Sequence, residues 1–391
     1  MSEKVTKDKK ICVVTTISKT MDWFVVESMR NLSNKGYDIT LICDMDEDFI
    51  LRNKDYATLV DIKMSRGIDI KNAINATLKI YKIFKRGNFD IVQYSTPNAS
   101  LYASIASFCA KVPIRIYGQW GIRYVTLKGK SKIIFKTLEK ITCMLSTNIR
   151  SVSRLNRKLA IKENLCKPDK IKVIGEGGTI GVDLNKYDLN NKPMYRTDIR
   201  KKIGISNNEF VFGYVGRVNT DKGINELILA FSELERYNKN IKLLLVGMMD
   251  DTNPIDDNTK DYINENKNIK LIGHIPAEDV CKYMAALDCL VHPTYREGFG
   301  MVLQEAGAMQ LPIITTNIIG ASEVMEQGKS CLLAEVKNSI DLKNKMEIIL
   351  KSSNLSLGIE ARKRVEKYYD RNIMLKLQEI DYEELIGGKK C

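Results

Sequence analysis

Short runs of apolar, often β-branched residues recur along the chain, separated by stretches whose apolar positions return every three or four residues. "ICVVTTI" (11–17), "DITLICD" (38–44), "FDIVQYS" (89–95), "PIRIYGQ" (113–119), "NIRSVS" (148–153) and "IKVIGEG" (171–177) have the length and composition of strands buried on both faces. Helical spacing fills the intervals at 24–37, 70–86, 99–110, 131–145 and 154–163. Strand and helix alternate, the order of a parallel sheet covered by helices on both sides.

Residues 185–198, "NKYDLNNKPMYRTD", are polar and turn-rich and read as a linker. A second alternating series comes after it. "FVFGYVG" (210–216), "IKLLLVG" (241–247), "IKLIGHI" (269–275), "DCLVHPT" (288–294) and "PIITTN" (312–317) are its strands, and a long charged helical segment covers about 358–385. The fold class expected is α/β, with two doubly wound Rossmann-like domains. Residues 1–186 form the first, 187–365 the second, and 366–391 a helix packing back toward the first. Such sheets bind ligands at the carboxyl ends of their strands, here facing a central cleft.

Charge changes the picture by its placement. The net charge is +13, yet residues 111–172 alone hold sixteen Lys or Arg against three Asp or Glu. A field this local suits polyanions or an anionic membrane surface. In 128–145, lysines at 128, 130, 132, 136 and 140 accompany apolar residues at 134, 135, 138, 141 and 145. That is a basic amphipathic helix able to lie on a bilayer. An ordinary sheet-covering helix with a solvated lysine face has the same pattern. A nucleic-acid binder would need a recognisable motif, and the basic stretch has none.

No apolar run approaches the roughly 20 residues that cross a bilayer. Nine scattered cysteines with no CxxC pair suit reduced thiols in a cytoplasmic protein, soluble or peripheral at the membrane. With two histidines, an all-protein zinc site is not expected. "DMDED" (44–48) reads as a loop after a strand rather than a metal site.

The chemistry concentrates in "YREGFGMVLQEAGAMQLP" (295–312). A strand ends, Glu297-Gly298-Phe299-Gly300 form a loop, and a helix begins near Met301. Glycines let backbone N–H groups approach a ligand, and a helix N-terminus favours phosphate. Glu305, inside the helix, can accept two hydrogen bonds from a ribose diol. Glu297, before it, can hold a hydroxyl on the group the diphosphate carries. Taken alone, both could be solvated acids at a helix start. "GYVGRVNTDKG" (213–223) adds Gly216, Arg217 and Lys222 in a glycine-flanked loop after the first strand of the same domain. Two fixed cations suit a diphosphate and would stabilise charge on a leaving nucleotide.

Together these segments resemble the retaining GT-B glycosyltransferases of family 4. "GRVNTDKG" is similar to that family's Gly-Arg…Lys-Gly loop, and 292–333 is similar to its Glu-x7-Glu segment with the residues C-terminal to it. The resemblance is strong over about 205–335 and weaker over 10–185, where it leans toward capsule, O-antigen and exopolysaccharide enzymes. It implies transfer of a sugar, with retained anomeric configuration, from a nucleotide-sugar, UDP-sugar first, to a saccharide acceptor; a lipid diphosphate carrying that acceptor at the membrane would explain why the basic charge lies in the first domain. It implies Glu305 on the ribose, Glu297 on the donor sugar, Arg217 and Lys222 on the diphosphate, and Gly298 to Met301 around phosphate or sugar. No cofactor is implied, and metal is not usually required.

Two departures stand out. The loop "TISKTMDWF" (16–24) lacks the glycines many members carry. "YGQWGIRY" (117–124) lacks their histidine. Tyr117, Gln119, Trp120 and Arg123 are the acceptor-side candidates, since a ring can cover a sugar face and an arginine can meet phosphate. His292 reads as a packing or loop residue. A sugar-nucleotide epimerase or glycogen-type synthase on the same framework is the alternative enzyme.

Overall fold

The computed structural model describes residues 9–64, 69–351 and 355–388. They fall into two units, one built from residues up to Ile180 together with those from Asn372 onward, the other from Gly181–Arg371.

The first unit holds β1 (Lys10–Ile17), β2 (Asp38–Asp44), β3 (Thr58–Asp61), β4 (Ile91–Ser95), β5 (Ile114–Gln119), β6 (Asn148–Ser151) and β7 (Ile171–Lys172). They pair in parallel in the order β3-β2-β1-β4-β5-β6-β7. Ile11 to Thr16 of β1 are all buried, as expected for a central strand covered on both faces. One face packs on helices that include Ile70–Gly87, Pro97–Cys109 and Gly129–Leu145. Small residues fill helix Pro97–Cys109: Ala99, Ser100, Ala103, Ser104, Ala106 and Ser107 are buried, which lets it approach its neighbours closely. The opposite face is closed partly by the last helix, Arg371–Ile386, through Tyr382 and Leu385. That helix also brings Asp381 to Arg150, both buried, at 2.7 Å, and the Tyr382 hydroxyl to the Gln93 side-chain oxygen at 2.6 Å.

The second unit holds β8 (Phe210–Val215), β9 (Ile241–Val246), β10 (Ile269–Gly273), β11 (Cys289–His292), β12 (Ile313–Thr316) and β13 (Leu332–Ala334). All pair in parallel, in the order β10-β9-β8-β11-β12-β13.

The structure departs from the sequence reading in four places. Part of the expected linker is helix Lys192–Ile203, with Pro193 in its first turn. It is anchored by Arg196 and Arg200 on Asp288, so its polar residues are paired rather than loose. The expected loop 16–24 is already helical from Ser18 and contains a π-helical turn, Asp22–Val26. The strand expected over 171–177 shortens to Ile171–Lys172. The final long helix is two, Leu355–Tyr368 and Arg371–Ile386. The break at Tyr369-Asp370 is held by Val182, whose N–H donates to the Tyr369 carbonyl while its own carbonyl accepts from Arg371 N. Edge strands β3 and β13 are too short to show a pattern, and sequence reasoning missed them. Among the described residues no helix is long and apolar enough to cross a membrane.

Candidate functional site

In each sheet the chain order reverses between two central strands, β1 and β4 in one and β8 and β11 in the other. At such a point the connections leave in opposite directions and open a crevice at the carboxyl ends. The second unit's candidates gather at its crevice, whereas of the first unit's candidates Arg123 alone lines a cavity at the other.

In the second unit, β8 leads into Gly216 and Arg217. Gly216 has φ 147°, and a Cβ there would come within 2.8 Å of the Tyr214 hydroxyl. That hydroxyl donates to the Arg217 carbonyl at 2.7 Å. The Arg217 guanidinium, 65% exposed, pairs with Asp250 at 2.6 Å. Asp250 also accepts from the Asn219 amide, and the Asn219 side-chain oxygen accepts from Lys222 N, closing the loop on itself.

β11 leads into the second loop, which is laced to the first. Tyr295 N donates to the Asp221 carbonyl at 2.8 Å, and the Arg296 guanidinium meets the Asp221 carboxylate. Gly223 sits so close to Pro293 that a Cβ would lie 2.0 Å from its carbonyl oxygen. Glu297 is the junction. Its Oε2 lies 2.6 Å from Lys222 Nζ and 3.3 Å from His292 Nε2, and its Oε1 accepts from Gly298 N. Burial pushes this carboxyl's titration up, but Lys222 and His292 outweigh burial and hold it well below the ordinary carboxylate range. The cation expected on diphosphate and the carboxylate expected on sugar are therefore direct neighbours.

Helix Met301–Ala308 starts at Gly300, whose φ of 70° is left-handed and which, as a glycine, has no side chain of its own to reach the first N–H groups. These donors and the helix dipole favour an anion. Met301 is half-buried at the first helical position, and Phe299 turns inward against the Tyr369 ring. Phe299 thus contributes packing here, while its backbone carries the loop. Glu305 lies one turn on, half-buried, facing the buried Tyr187 hydroxyl with Lys186 and Arg371 near. Burial raises its titration despite these three partners.

In the first unit the candidates separate. Tyr117 and Gln119 are buried and both donate to Glu139 of helix Gly129–Leu145, at 3.0 and 2.8 Å. Trp120 packs on Phe24, with ring centroids 5.1 Å apart. Arg123 is exposed, stacks over Phe135, and lines a cavity of about 310 Å³. Thr16, Ile17 and Thr20 close one side of the cavity, and Thr96, Pro97 and Asn98 the other. Thr96 has φ 70°, a rare conformation for a β-branched residue, and its hydroxyl is tied to Thr16 N and Oγ1. Asp46 of the "DMDED" segment caps helix Glu47–Asn53 and accepts from Ser18.

Sequence reasoning missed Asp250, Tyr187 and the contact of His292 with Glu297. Asp250 had one local signal, an "MMDDTN" turn directly after a strand.

Two parallel α/β units with loops gathered at both strand reversals define a GT-B protein. The Anabaena protein Alr3699/HepE, solved with UDP and glucose, superposes with TM-score 0.77 over 96% of this chain and 100% of that one, at 19% identity. The chain belongs to the group 1 glycosyltransferases. Residues 195–370 match the family described as Glycosyl transferases group 1, and residues 10–153 match Glycosyl transferase 4-like. Over 370 residues it is 32% identical to the Staphylococcus aureus capsular polysaccharide biosynthesis glycosyltransferase CapM, covering 94% of this chain and 95% of that one. Over 360 residues it is 27% identical to the Escherichia coli UDP-Gal:alpha-D-GlcNAc-diphosphoundecaprenol alpha-1,3-galactosyltransferase, covering 90% and 86%. The protein is an enzyme of a retaining glycosyltransferase family, related to capsule and undecaprenol-diphosphate sugar transferases.

Proposed function

We propose that this enzyme transfers a sugar from a UDP-sugar to a saccharide carried on a lipid diphosphate, in surface-polysaccharide synthesis. The observation that carries the donor half is the Lys222–Glu297–His292 cluster beside the N-terminus of helix Met301–Ala308 at the β8/β11 reversal. The lipid-diphosphate half is supported by the name of the E. coli relative.

In this reading Glu305 holds the ribose, and Gly298 to Met301 offer backbone donors to the diphosphate. Arg217 and Lys222 stabilise the charge that grows on it as the bond from the anomeric carbon to the phosphate oxygen breaks. Glu297 holds a donor-sugar hydroxyl. The acceptor oxygen bonds to the anomeric carbon on the face the nucleotide leaves, and its proton passes to the departing phosphate oxygen. That balance retains the configuration without an enzyme nucleophile.

The first unit takes the acceptor. Its cavity at the β1/β4 reversal presents Arg123, three threonine hydroxyls and a helix N-terminus, chemistry suited to a phosphate. Helix Gly129–Leu145 exposes Ile133 (68%) and Ile134 (47%) among lysines, which suits an anionic bilayer holding the acceptor.

Equilibrium binding of UDP, GDP and ADP in EDTA tests the donor half. Selective UDP binding that Glu305→Ala weakens is expected. Equal or no binding of the three overturns the reading.

A further inference from the structure

The donor-site reading uses Glu297 but leaves unexplained why a buried imidazole lies behind it. His292 ends β11 and is 2% exposed. Its Nε2 is 3.3 Å from Glu297 Oε2, and its backbone carbonyl accepts from Thr315 Oγ1 at 3.0 Å. The ring stacks on Tyr214 with centroids 5.7 Å apart and planes 7° from parallel. Tyr214 is itself fully buried and spends its hydroxyl on the Arg217 carbonyl. Two stacked rings therefore connect the two loops from beneath. One grips the backbone of the proposed diphosphate cation, the other the proposed sugar carboxylate.

We infer that His292 is a positioning residue, which fixes the Glu297 carboxylate for the donor sugar and, through its stack on Tyr214, ties it in register with the Arg217 loop. The inference rests on the reading of Glu297 as the sugar ligand.

The geometry dictates the tautomer. An ionised carboxylate only accepts, so the proton sits on Nε2. Nδ1 is buried and has no hydrogen-bond partner among the described residues. A bare lone pair costs less there than an N–H with no acceptor. The charged groups facing the ring are Glu297, which favours a second proton, and Lys222, which disfavours it; burial is the largest influence and with Lys222 outweighs Glu297. Imidazole chemistry is thus used as a fixed donor rather than as an acid or base. The hydrogen bond also uses one lone-pair direction of Oε2 and Lys222 takes another. Oε1, whose partner is the adjacent Gly298 N–H, is left as the oxygen that can turn to a sugar hydroxyl.

The chain has two histidines, His274 and His292, so imidazole nitrogen NMR resolves the site directly. The expected spectrum has His292 as the neutral Nε2–H form across pH 6 to 8, a window chosen around the ordinary histidine value of about 6.5. Its signal moves on Glu297→Gln while that of His274 stays. A doubly protonated or Nδ1–H His292, or one indifferent to Glu297→Gln, overturns the inference.

Function is read as UDP release from a panel of UDP-glucose, UDP-galactose and their N-acetyl forms, beside UDP binding. His292→Phe keeps the stack but loses the donor. It should slow release about tenfold or more, as loss of one hydrogen bond to a charged group predicts. UDP affinity should stay within about twofold, because the nucleotide contacts are untouched. His292→Gln, which restores a donor, should recover most of the rate. If Glu297→Gln leaves release intact, the sugar-ligand reading of Glu297 falls. If Glu297→Gln abolishes release while His292→Phe does not, only the positioning role falls.

Discussion

Asp250 holds Arg217. The carboxylate sits just past β9, accepts the guanidinium at 2.6 Å, and takes further hydrogen bonds from Asn219 and from the Thr252 hydroxyl and N–H. An exposed arginine on its own would sample many rotamers. This one is aimed by a partner from the neighbouring strand's loop.

Removing that partner should loosen the proposed grip of Arg217 on a diphosphate without unfolding the unit. Asp250→Ala is expected to weaken UDP binding by about threefold to tenfold, the scale of one exposed charge-assisted contact. Calorimetric titration with UDP reads it, and unchanged affinity would remove Asp250 from the site. The Thr252 and Asn219 hydrogen bonds, with Arg217, hold the Asp250 carboxyl down at about 2. The contribution of Asp250 to stability is present above the ordinary aspartate value of about 3.9 and is lost as pH falls toward 2. Nucleotide binding near neutrality should therefore show no titration from Asp250.

Glu305 should impose a pH dependence of its own. Burial raises its titration, so it takes up a proton at higher pH than an exposed glutamate. The ribose reading needs the ionised form, which accepts two hydroxyl hydrogens. UDP affinity is then expected to rise with pH through that raised titration. Glu305→Gln should flatten the rise and weaken binding at pH 8. A wild-type curve with the same pH dependence as that of Glu305→Gln contradicts the assignment.

Glu139 governs stability instead of binding. It is half-buried in helix Gly129–Leu145 and receives the Tyr117 hydroxyl and the Gln119 amide. Glu139→Ala strands both donors, for an expected loss of about 2–4 kcal/mol in chemical unfolding. Burial raises the titration of this carboxyl, so folding favours its protonated form. The associated stability is fully present below the unfolded-state value of about 4.3 and declines as pH climbs to the raised folded value. A wild-type unfolding midpoint with no such decline, or a Glu139→Ala variant as stable as wild type, would refute this.

The membrane reading makes a salt-dependent forecast. Flotation with phosphatidylglycerol vesicles at low salt should recover the protein, and neutral vesicles should not. Ile133→Asp with Ile134→Asp should reduce recovery several-fold, since both side chains are exposed and their loss leaves the core intact. Equal flotation of wild type and variant would dismiss this helix as the contact.

Much of this site was legible because glycine punctuates it. Gly216, Gly298 and Gly300 come after strands, and each marks a loop where backbone must run close to something. Arg217, Lys222, Glu297 and Glu305 could be picked out beside them. Their organisers could not, since Asp250 and Tyr187 lie 33 residues after Arg217 and 118 residues before Glu305. Nothing local forecasts such pairings. Tyr117, Gln119 and Trp120 show the opposite failure. They are close in sequence, but a strand sends alternate side chains to opposite faces. Tyr117 and Gln119 go together to Glu139, and Trp120 goes to Phe24 on the other side of the sheet. Helix Lys192–Ile203 was hidden by its polarity, since its arginines are satisfied by a distant aspartate rather than by water.

The return of the final helix to the first unit has a practical meaning for anyone dissecting the enzyme. The first unit is not a contiguous piece of gene. A fragment stopped at Ile180 would uncover the sheet face beneath Tyr382 and Leu385 and deprive Arg150 of its ion pair with Asp381. Grafting residues 372–388 onto its end would restore both, so the first unit is obtained in isolation by rejoining two segments and not by a single cut.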